Sequence, residues 1–176
     1  SGSGKTTIVK ELVKQISQLD FSISATTRGP RGTEEHGKDY YFFEKKDFEE
    51  KIKREEFAEY EEVYPGRYYG TLKNEVERIW ERGVDVLFDV DVKGGVNLKK
   101  VYGERALAIY IKVPSVEVLE QRLRSRGTED EQNIRMRMSR VAEEMRFEKE
   151  FDVVVLNETL EKAVEVAVKE VKKFLD

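Results

Sequence analysis

The first residues of the chain combine glycine, lysine and threonine at a spacing that suits the binding of nucleotide phosphates. Gly4, Lys5 and Thr6 supply the end of the phosphate-loop pattern G-x-x-x-x-G-K-S/T, and a helical stripe of apolar residues follows directly. In this pattern backbone N–H groups and the lysine bind phosphate oxygens, and the threonine hydroxyl can ligate Mg²⁺. A Ser/Gly-rich tag before an ordinary helix is the alternative, which the continuation GKTT disfavours. The predicted nucleotide contacts are Gly2, Ser3, Gly4, Lys5, Thr6 and Thr7.

The phosphate-loop pattern is incomplete at its start. Its first glycine would fall two places before Ser1, and the strand that normally precedes such a loop is missing as well. Removal of a central parallel strand leaves the backbone groups of its neighbours without ladder partners. We therefore expect the printed sequence to be an N-terminally shortened part of a longer chain.

A second stretch, SATTRGPRGTEEHGKDY over residues 24–40, concentrates groups that bind anions. Arg28 and Arg31 stand three apart on a loop that proline and glycine constrain, which suits bidentate binding of a dianionic phosphate. Tyr40 offers a hydroxyl as a further donor, and Ser24 lies at the end of a predicted strand. A solvated charged loop is the alternative interpretation.

Two acidic residues lie in the apolar run VDVLFDVDV, which predicts a strand over residues 84–92. Asp89 and Asp91 are two apart, so on a strand both would lie on one face. Ligands of open α/β sheets bind beyond the carboxyl ends of the parallel strands, which favours a binding site here. A structural salt bridge is the competing interpretation, because a buried acid needs a partner.

Strand-like and helical segments alternate in the second half of the chain, which is typical of a parallel sheet covered on both faces. The segment 28–83 lacks this alternation, so we interpret it as a small mixed α/β insertion into a core of residues 1–27 and 84–176. Helices are predicted over 6–18, 46–56, 72–83, 94–102, 115–126, 129–149 and 158–175. Strands are predicted over 21–27, 40–43, 84–92, 106–113 and 151–157, with two more in 57–71 around a turn at Pro65-Gly66.

The composition argues against several classes of protein. Charged and hydrophobic residues each make up 39% of the 176 residues, too much patterned apolar material for a disordered chain. The net charge of −4 does not suit general binding of nucleic acid or an anionic membrane. The absence of cysteine excludes disulfides, zinc thiolates and a cysteine nucleophile within these residues, and we expect a cytoplasmic protein.

Four motifs, in order along the chain, resemble those of guanylate kinase: SATTRGPRGTEEHGKDYYFF, FAEYEEVYPGRYYGT, DVDVKGG and RLRSRGTEDEQNIRMRM. The resemblance implies a P-loop nucleoside-monophosphate kinase of three-layer α/β fold with a central parallel sheet. It also implies that the insertion 28–83 binds GMP and that residues 124–140 form a helical lid. The implied reaction is ATP + GMP → ADP + GDP with Mg²⁺, with GMP and ATP as partners rather than a nucleic acid or a membrane.

The resemblance assigns the acceptor site. The implied ligands of the GMP phosphate are Arg28, Arg31, Tyr40 and Tyr69, and the implied guanine-reading residues are Ser24, Glu59 and Thr71. Guanine presents N1–H and N2–H₂ side by side, so the Glu59 carboxylate can accept both, whereas adenine has an acceptor at N1. Unpaired polar groups of this kind give discrimination of about 10⁴–10⁵. Asp89 resembles the family's acid near Mg²⁺ and the acceptor phosphate, and Asp91 its partner on the GMP side; the implied metal residues are Thr6 and Asp89.

The resemblance also assigns the donor site. The arginines around RGTEDEQN resemble the lid that closes over the ATP phosphates, and Arg122 and Arg126 lie four apart on one helix face. The implied catalytic residues are Lys5, Arg126 and Arg137, and the ATP site is completed by Arg122, Arg126 and Asn157. Asn157 resembles a residue near the adenine ring, but its place between a strand and a helix favours a helix cap.

The implied chemistry needs no general base, because the acceptor phosphate has a second pKa of about 6 and is ionised near neutral pH. Positioning and charge neutralisation are expected to carry the transfer, with closure over the substrates to exclude water. Two alternatives stay open: a non-catalytic guanylate-kinase-like interaction module, and a kinase for another nucleoside monophosphate. The presence of Lys5, Thr6, Arg126 and Arg137 favours an enzyme.

Overall fold

The computed structural model describes residues 2–125 and 131–176 and has a mixed α/β fold. The chain divides into two compact units, Ser17–Gly103 on the one hand and Ser1–Ile16 with Glu104–Asp176 on the other. The predicted boundaries of core and insertion, at 27/28 and 83/84, stay a prediction. Within the described ranges, no helix has the length and apolarity that crossing a bilayer requires.

The elements follow one another in chain order as helices and short strands. They are α1 (Lys5–Gln15), β1 (Leu19–Phe21), β2 (Ala25–Thr26), β3 (Tyr41–Phe42), α2 (Lys45–Lys53), β4 (Phe57–Tyr64), β5 (Arg67–Leu72), α3 (Lys73–Trp80), β6 (Asp85–Leu87), α4 (Val92–Tyr102), β7 (Ile109–Lys112), α5 (Val116–Ser125), α6 (Glu131–Arg146), β8 (Val153–Leu156) and α7 (Leu160–Leu175). Each predicted helix is present, with ends that shift by a few residues. Strands β3, β6, β7 and β8 are shorter than the segments that predicted them, whereas β4 and β5 fill theirs.

The unit Ser17–Gly103 contains a four-stranded mixed sheet in the order β3-β2-β5-β4. Strands β2 and β3 pair in parallel, and β5 pairs antiparallel with both β2 and β4. Helix α2 packs on this sheet through Phe48, whose ring stacks on Phe57 with centroids 4.4 Å apart. Ala25 and Leu72 complete this buried cluster. The predicted hairpin turn at Pro65-Gly66 is confirmed, and Gly66 has the positive φ of 74° that glycine tolerates best.

The predicted strand over 21–27 is wrong as a single element. The chain leaves the parallel pair of β1 and β6 after Ser22, whose N–H donates to the Leu87 carbonyl at 2.9 Å. The next N–H, that of Ile23, donates to the Glu75 carboxylate at 3.1 Å, and the chain then enters the other sheet as β2. A side chain thus takes the place of a ladder partner where the strand changes sheets.

The predicted strand over 84–92 is also too long. Strand β6 ends at Leu87, and Asp91 is the N-cap of α4, where its Oδ1 accepts from the Gly94 N–H at 2.8 Å. Aspartate satisfies an unpaired N–H of the first helical turn in this way. The expectation that Asp89 and Asp91 share one face of a strand is therefore wrong.

The other unit contains the parallel pair of β7 and β8, with α1 and α7 packed against each other. Helices α5 and α6 pack through Leu119, Leu123 and Val141, which are buried together. Among the described residues, the sheet predicted as one layer is hydrogen-bonded as two parallel pairs, β1 with β6 and β7 with β8. The mixed α/β class with parallel strands is confirmed.

Candidate functional site

The phosphate loop, residues 2–7, leads directly into helix α1. Gly2 and Gly4 have positive φ values of 79° and 88°, a left-handed conformation that a side chain would strain. Gly4 is the N-cap, and its carbonyl accepts from the N–H groups of Thr7 and Ile8, each at 3.1 Å. The first N–H groups of a helix have no intrahelical partner and carry partial positive charge. The loop therefore has the backbone arrangement that binds phosphate oxygens.

Close packing gives these two glycines a second role. A Cβ on Gly2 would lie 2.7 Å from Leu119 Cδ1, and a Cβ on Gly4 would collide with Asn157 Nδ2. Ser3 between them is buried, and its carbonyl accepts from Asn157 Nδ2 at 2.6 Å. Lys5 is half-buried, whereas Thr6 and Thr7 are exposed at the start of α1.

Asn157 does not cap helix α7, so that prediction is wrong. The N-cap is Thr159, and the Asn157 N–H still extends the β8 ladder by donating to the Lys112 carbonyl at 2.7 Å. The Asn157 side chain reaches the phosphate loop, where Nδ2 donates to the Ser3 carbonyl. Its Oδ1 is buried and has no hydrogen-bond partner among the described residues. The carboxamide is therefore an acceptor available to a ligand of this loop.

The lid predicted over 124–140 lies partly outside the described residues. Arg126 is one of the residues not described. Arg122 lies on α5, where its Nη2 donates to the Asn157 carbonyl at 3.0 Å, and its buried Nη1 has no partner within the described ranges. Arg137 lies half-buried on α6. The structure thus brings Arg122 and Asn157 together beside the phosphate loop.

In the unit Ser17–Gly103, Arg28 is the centre of a predicted phosphate site. Its Nη1 and Nη2 donate to the two oxygens of Glu34 at 2.5 and 2.8 Å, and its guanidinium lies 4.7 Å from the Tyr40 ring centroid. Burial alone would lower the pKa of Arg28, but Glu34 and Tyr69 outweigh it and raise the pKa. Arg28 Nε is buried and has no partner among the described residues. A fixed cation with a free donor is what binding of a phosphate requires.

Two tyrosines converge on this guanidinium. The rings of Tyr40 and Tyr69 meet edge to face with centroids 6.3 Å apart. Burial, with the charge of Tyr69, raises the pKa of Tyr40, so its hydroxyl stays a donor at neutral pH. Arg31 differs, because its side chain is exposed; its backbone N–H donates to Glu34 at 2.8 Å. We name Arg28, Tyr40 and Tyr69 the phosphate cluster.

A buried carboxylate lies on the same sheet. Glu59 on β4 is 7% exposed, and its Oε1 accepts from the Thr71 hydroxyl of β5 at 2.8 Å. Burial, with the charges of Asp91 and Glu61, raises the pKa of Glu59 to about 7. A Cβ on Gly94 would lie 3.1 Å from Glu59 Oε2, so the N-terminus of α4 approaches this carboxylate closely. We name Glu59 and Thr71 the base cluster.

The remaining predicted residues lie at the edges of these clusters. Ser24 is half-buried beside β2, and its carbonyl accepts from the Tyr41 N–H at 2.9 Å. Asp91 is held by the N-terminus of α4, and its buried Oδ2 has no partner among the described residues. Asp89 is half-buried, and its charge contributes to the raised pKa of Tyr40.

Sequence reasoning missed two carboxylates. Glu34 holds Arg28 in place and also accepts from the Arg31 N–H, while Glu75 is buried and binds the backbone at Ile23. Glu34 lies in the same motif as Arg28, six residues further on, which was an available signal. Glu75 had a weaker signal, because it lies three residues after Leu72 and four before Ile79, beside the apolar stripe of α3. Its partners Ile23 and Tyr41 are visible only in the fold.

The donor atoms for a divalent cation are few. In residues 2–125 and 131–176 no three His, Asp or Glu side chains are grouped to form a cage for a metal ion. The predicted metal residues offer the exposed hydroxyl of Thr6 and the half-buried carboxylate of Asp89. Such oxygen ligands fit Mg²⁺, which is usually held through one or two protein ligands together with substrate phosphates.

Comparisons with known proteins give consistent results. The family profile described as guanylate kinase matches residues 1–176. The guanylate kinase of Bacteroides thetaiotaomicron is 50% identical over 176 residues, which cover 100% of this chain and 86% of that protein. The guanylate kinase of Porphyromonas gingivalis is 46% identical over 176 residues, 99% of this chain and 94% of that protein. The crystal structure of guanylate kinase from Anaplasma phagocytophilum superimposes with a TM-score of 0.80 at 27% identity, covering 98% of this chain and 81% of that one.

Proposed function

Because the chain belongs to the guanylate kinase family, we propose that its phosphate and base clusters bind GMP and that its phosphate loop binds ATP. The protein is a nucleoside-monophosphate kinase, an ATP:GMP phosphotransferase that catalyses ATP + GMP → ADP + GDP. An interaction module and a kinase for another nucleotide are not favoured, since the relatives matched over nearly their full length are named guanylate kinases.

The arrangement of strand β5 carries the proposal for GMP. Tyr69 of the phosphate cluster and Thr71 of the base cluster are two residues apart, so both side chains lie on one face of the strand. Two residues of a strand span about 7 Å. Across the β4–β5 ladder, Glu59 pairs with Thr71 and Glu61 pairs with Tyr69. One sheet surface thus offers cationic and hydroxyl donors at one end and a carboxylate acceptor at the other, as a purine monophosphate requires.

The base cluster suits guanine. An ionised Glu59 accepts from N1–H and N2–H₂ together, and Thr71 keeps one carboxylate oxygen oriented through its 2.8 Å hydrogen bond. Adenine would set its N1 acceptor against the same carboxylate, leaving both groups unpaired in a buried place. The buried Oδ2 of Asp91 is a further acceptor on the GMP side.

The phosphate cluster orients the nucleophile. Arg28 Nε and the hydroxyls of Tyr40 and Tyr69 hold the GMP phosphate, with Arg31 approaching from the exposed side of the loop. A phosphate oxygen, already ionised near pH 7 because its second pKa is about 6, attacks the γ-phosphorus of ATP. The γ-phosphoryl group moves to that oxygen, and the bond to the β-phosphate oxygen breaks to leave ADP.

On the donor side, backbone N–H groups of the loop and the Lys5 ammonium stabilise the β- and γ-phosphates. We assign charge neutralisation during transfer to Lys5, Arg126 and Arg137, and positioning of ATP to Arg122 and Asn157. We assign Thr6 and Asp89 as the residues that would hold Mg²⁺, which would neutralise phosphate charge of ATP. We also propose that the core of the protein has a three-layer α/β fold around a central parallel sheet.

A coupled assay of ADP formation tests the function. We expect ADP to form with ATP and GMP together, and turnover with AMP or a pyrimidine monophosphate to be lower by orders of magnitude. An equal rate of ADP formation with and without GMP contradicts the proposed activity. Equal rates with GMP and AMP contradict the assignment of the base cluster.

A further inference from the structure

Glu75 is a buried carboxylate that the proposed mechanism does not use. It lies in the first turn of helix α3 and is 2% exposed. Its Oε1 accepts from the Ile23 N–H at 3.1 Å and from Arg78 Nη2 at 2.8 Å. Its Oε2 accepts from the Tyr41 hydroxyl at 3.0 Å and from Arg78 Nε at 3.1 Å. Both oxygens are thus occupied by donors from three different segments.

These donors keep the carboxylate charged. Burial alone would raise the pKa of Glu75, but the hydrogen bonds from Arg78, Ile23 and Tyr41 outweigh it and lower the pKa. The Arg78 side chain is 45% exposed, so its charge stays solvated while it pairs with Glu75 from the surface side. An ion pair with one partner in solvent contributes little net stability, because water screens the attraction. Stability alone therefore gives little reason for a charge at this position.

The position of Glu75 in the fold gives a better reason. It binds Ile23, the residue at which the chain passes from the β1–β6 pair to the sheet that carries the phosphate and base clusters. Ser24 follows, and its carbonyl accepts from the Tyr41 N–H at 2.9 Å. Tyr41 returns to Glu75 through its hydroxyl, which closes a ring of hydrogen bonds. The ring joins Ser24, on the base side, to the residue after Tyr40, on the phosphate side.

We propose that Glu75 is a positioning residue for GMP, which fixes the distance between Ser24 and Tyr40 by holding Ile23 and Tyr41. The inference rests on the proposed binding of GMP by those two residues. Without the carboxylate, the Ile23 N–H and the Tyr41 hydroxyl lose their shared acceptor, and the base and phosphate contacts no longer have a fixed separation. GMP then binds less tightly, while the donor site is unaffected.

Two mild variants test the proposal in the full chain. Glu75→Gln keeps the size of the side chain, and Tyr41→Phe removes only the hydroxyl. We expect each to raise KM for GMP about tenfold, the effect of losing a hydrogen bond to a charged group. KM for ATP and kcat at saturating GMP should change less than twofold. Because both variants weaken the same ring, Glu75→Gln by replacing a charged acceptor with a neutral amide, the double variant should be little worse than either single one.

Glu77→Gln is the matched control, because it makes the same chemical change two residues away on α3 at an exposed position. It should leave all three kinetic constants unchanged. Circular dichroism melting of each variant reports whether the fold is retained.

The outcomes are distinct. Unchanged KM for GMP in folded Glu75→Gln and Tyr41→Phe overturns the inference and leaves the proposed function standing. Parallel changes in KM for GMP, KM for ATP and kcat also overturn it, since they indicate a general loss of structure. A wild-type chain without GMP-dependent ADP formation overturns the proposed function and this inference with it.

Discussion

The Thr71 hydroxyl donates a 2.8 Å hydrogen bond to Glu59 Oε1 across the β4–β5 ladder, and both side chains are buried. Burial, with the charges of Asp91 and Glu61, raises the pKa of Glu59 to about 7 despite this bond. The free enzyme therefore holds a carboxyl group that changes charge in the neutral range. Guanine needs the charged form, because only the carboxylate accepts from both of its donors.

The first prediction concerns pH. We expect KM for GMP to fall as pH rises from 6 to 8, with a midpoint near the Glu59 pKa of about 7. The raised pKa means that the folded state binds this proton more tightly than the unfolded chain does. Protonation of Glu59 therefore stabilises the folded state at low pH, and this stabilisation is lost as pH rises through 7.

Initial-rate measurements between pH 6 and 8 test this prediction. Glu59→Gln is the control, because it keeps the titration of the GMP phosphate, whose second pKa is about 6. The part of the profile that belongs to Glu59 should be absent from that variant. Identical profiles in the two proteins would assign the pH dependence to the phosphate alone.

The second prediction concerns selectivity. Glu59→Gln replaces a charged acceptor by a neutral amide, so one guanine donor meets an N–H₂ group. The loss of a hydrogen bond to a charged group, about 1.5–3 kcal/mol, should lower kcat/KM for GMP by about 10–150-fold. The ratio of GMP to AMP turnover should fall with it. A selectivity ratio equal to that of the wild type would exclude Glu59 as the base reader.

The sequence predicted the helices well because their apolar spacing is local. It failed where a tertiary contact ends a strand. The run over 21–27 has strand-forming residues throughout, but the Glu75 carboxylate takes the N–H of Ile23 and the chain changes sheets there. The run over 84–92 failed for a local reason, because β6 ends at Leu87 and Asp91 caps α4 by accepting from the Gly94 N–H three residues on.

Motif spacing brought out the residues that bind anions, and the structure groups Arg28, Tyr40 and Tyr69 as a cluster. Their assignment to GMP stays a prediction. Spacing did not predict which polar groups support them, because the partner of an acid is set by the fold: Glu34 pairs with Arg28, and Glu75 binds Ile23 and Tyr41. The Asn157 cap was wrong for a related reason: the residue after a strand can still be extended, and its side chain then reaches a distant loop.

The third prediction tests the geometry of Arg28. Arg28→Lys keeps the charge but loses the planar fork that binds both oxygens of Glu34 in parallel and leaves Nε as a separate donor. We expect kcat/KM for GMP to fall by about 10–100-fold, the effect of losing one or two charge-assisted hydrogen bonds. The matched control is Arg67→Lys, at an exposed arginine at the start of β5. Equal changes of kcat/KM for GMP in the two variants would show that GMP binding needs only the charge at Arg28 and not its guanidinium geometry.

The fourth prediction separates backbone strain from collision in the phosphate loop. Gly4→Ala places a Cβ against Asn157 Nδ2 at a residue with φ of 88°. Gly66→Ala introduces a comparable strain at φ of 74°, but its Cβ meets nothing within 4 Å. Strain alone should lower the free energy of unfolding by about 1–2 kcal/mol in both variants. Only Gly4→Ala should also raise KM for ATP, by more than tenfold.

The collision requires both the Cβ introduced at Gly4 and the Asn157 amide, so a double variant tests the fourth prediction. Asn157→Ala on its own should raise KM for ATP, because the Ser3 carbonyl loses its 2.6 Å hydrogen bond. Combined with Gly4→Ala it removes the colliding amide, so the double variant should be less impaired than the product of the two single effects. Strictly multiplicative effects on KM for ATP would mean that Gly4 is required for its backbone conformation alone. Asn157 would then support the loop without limiting the size of the residue beside it.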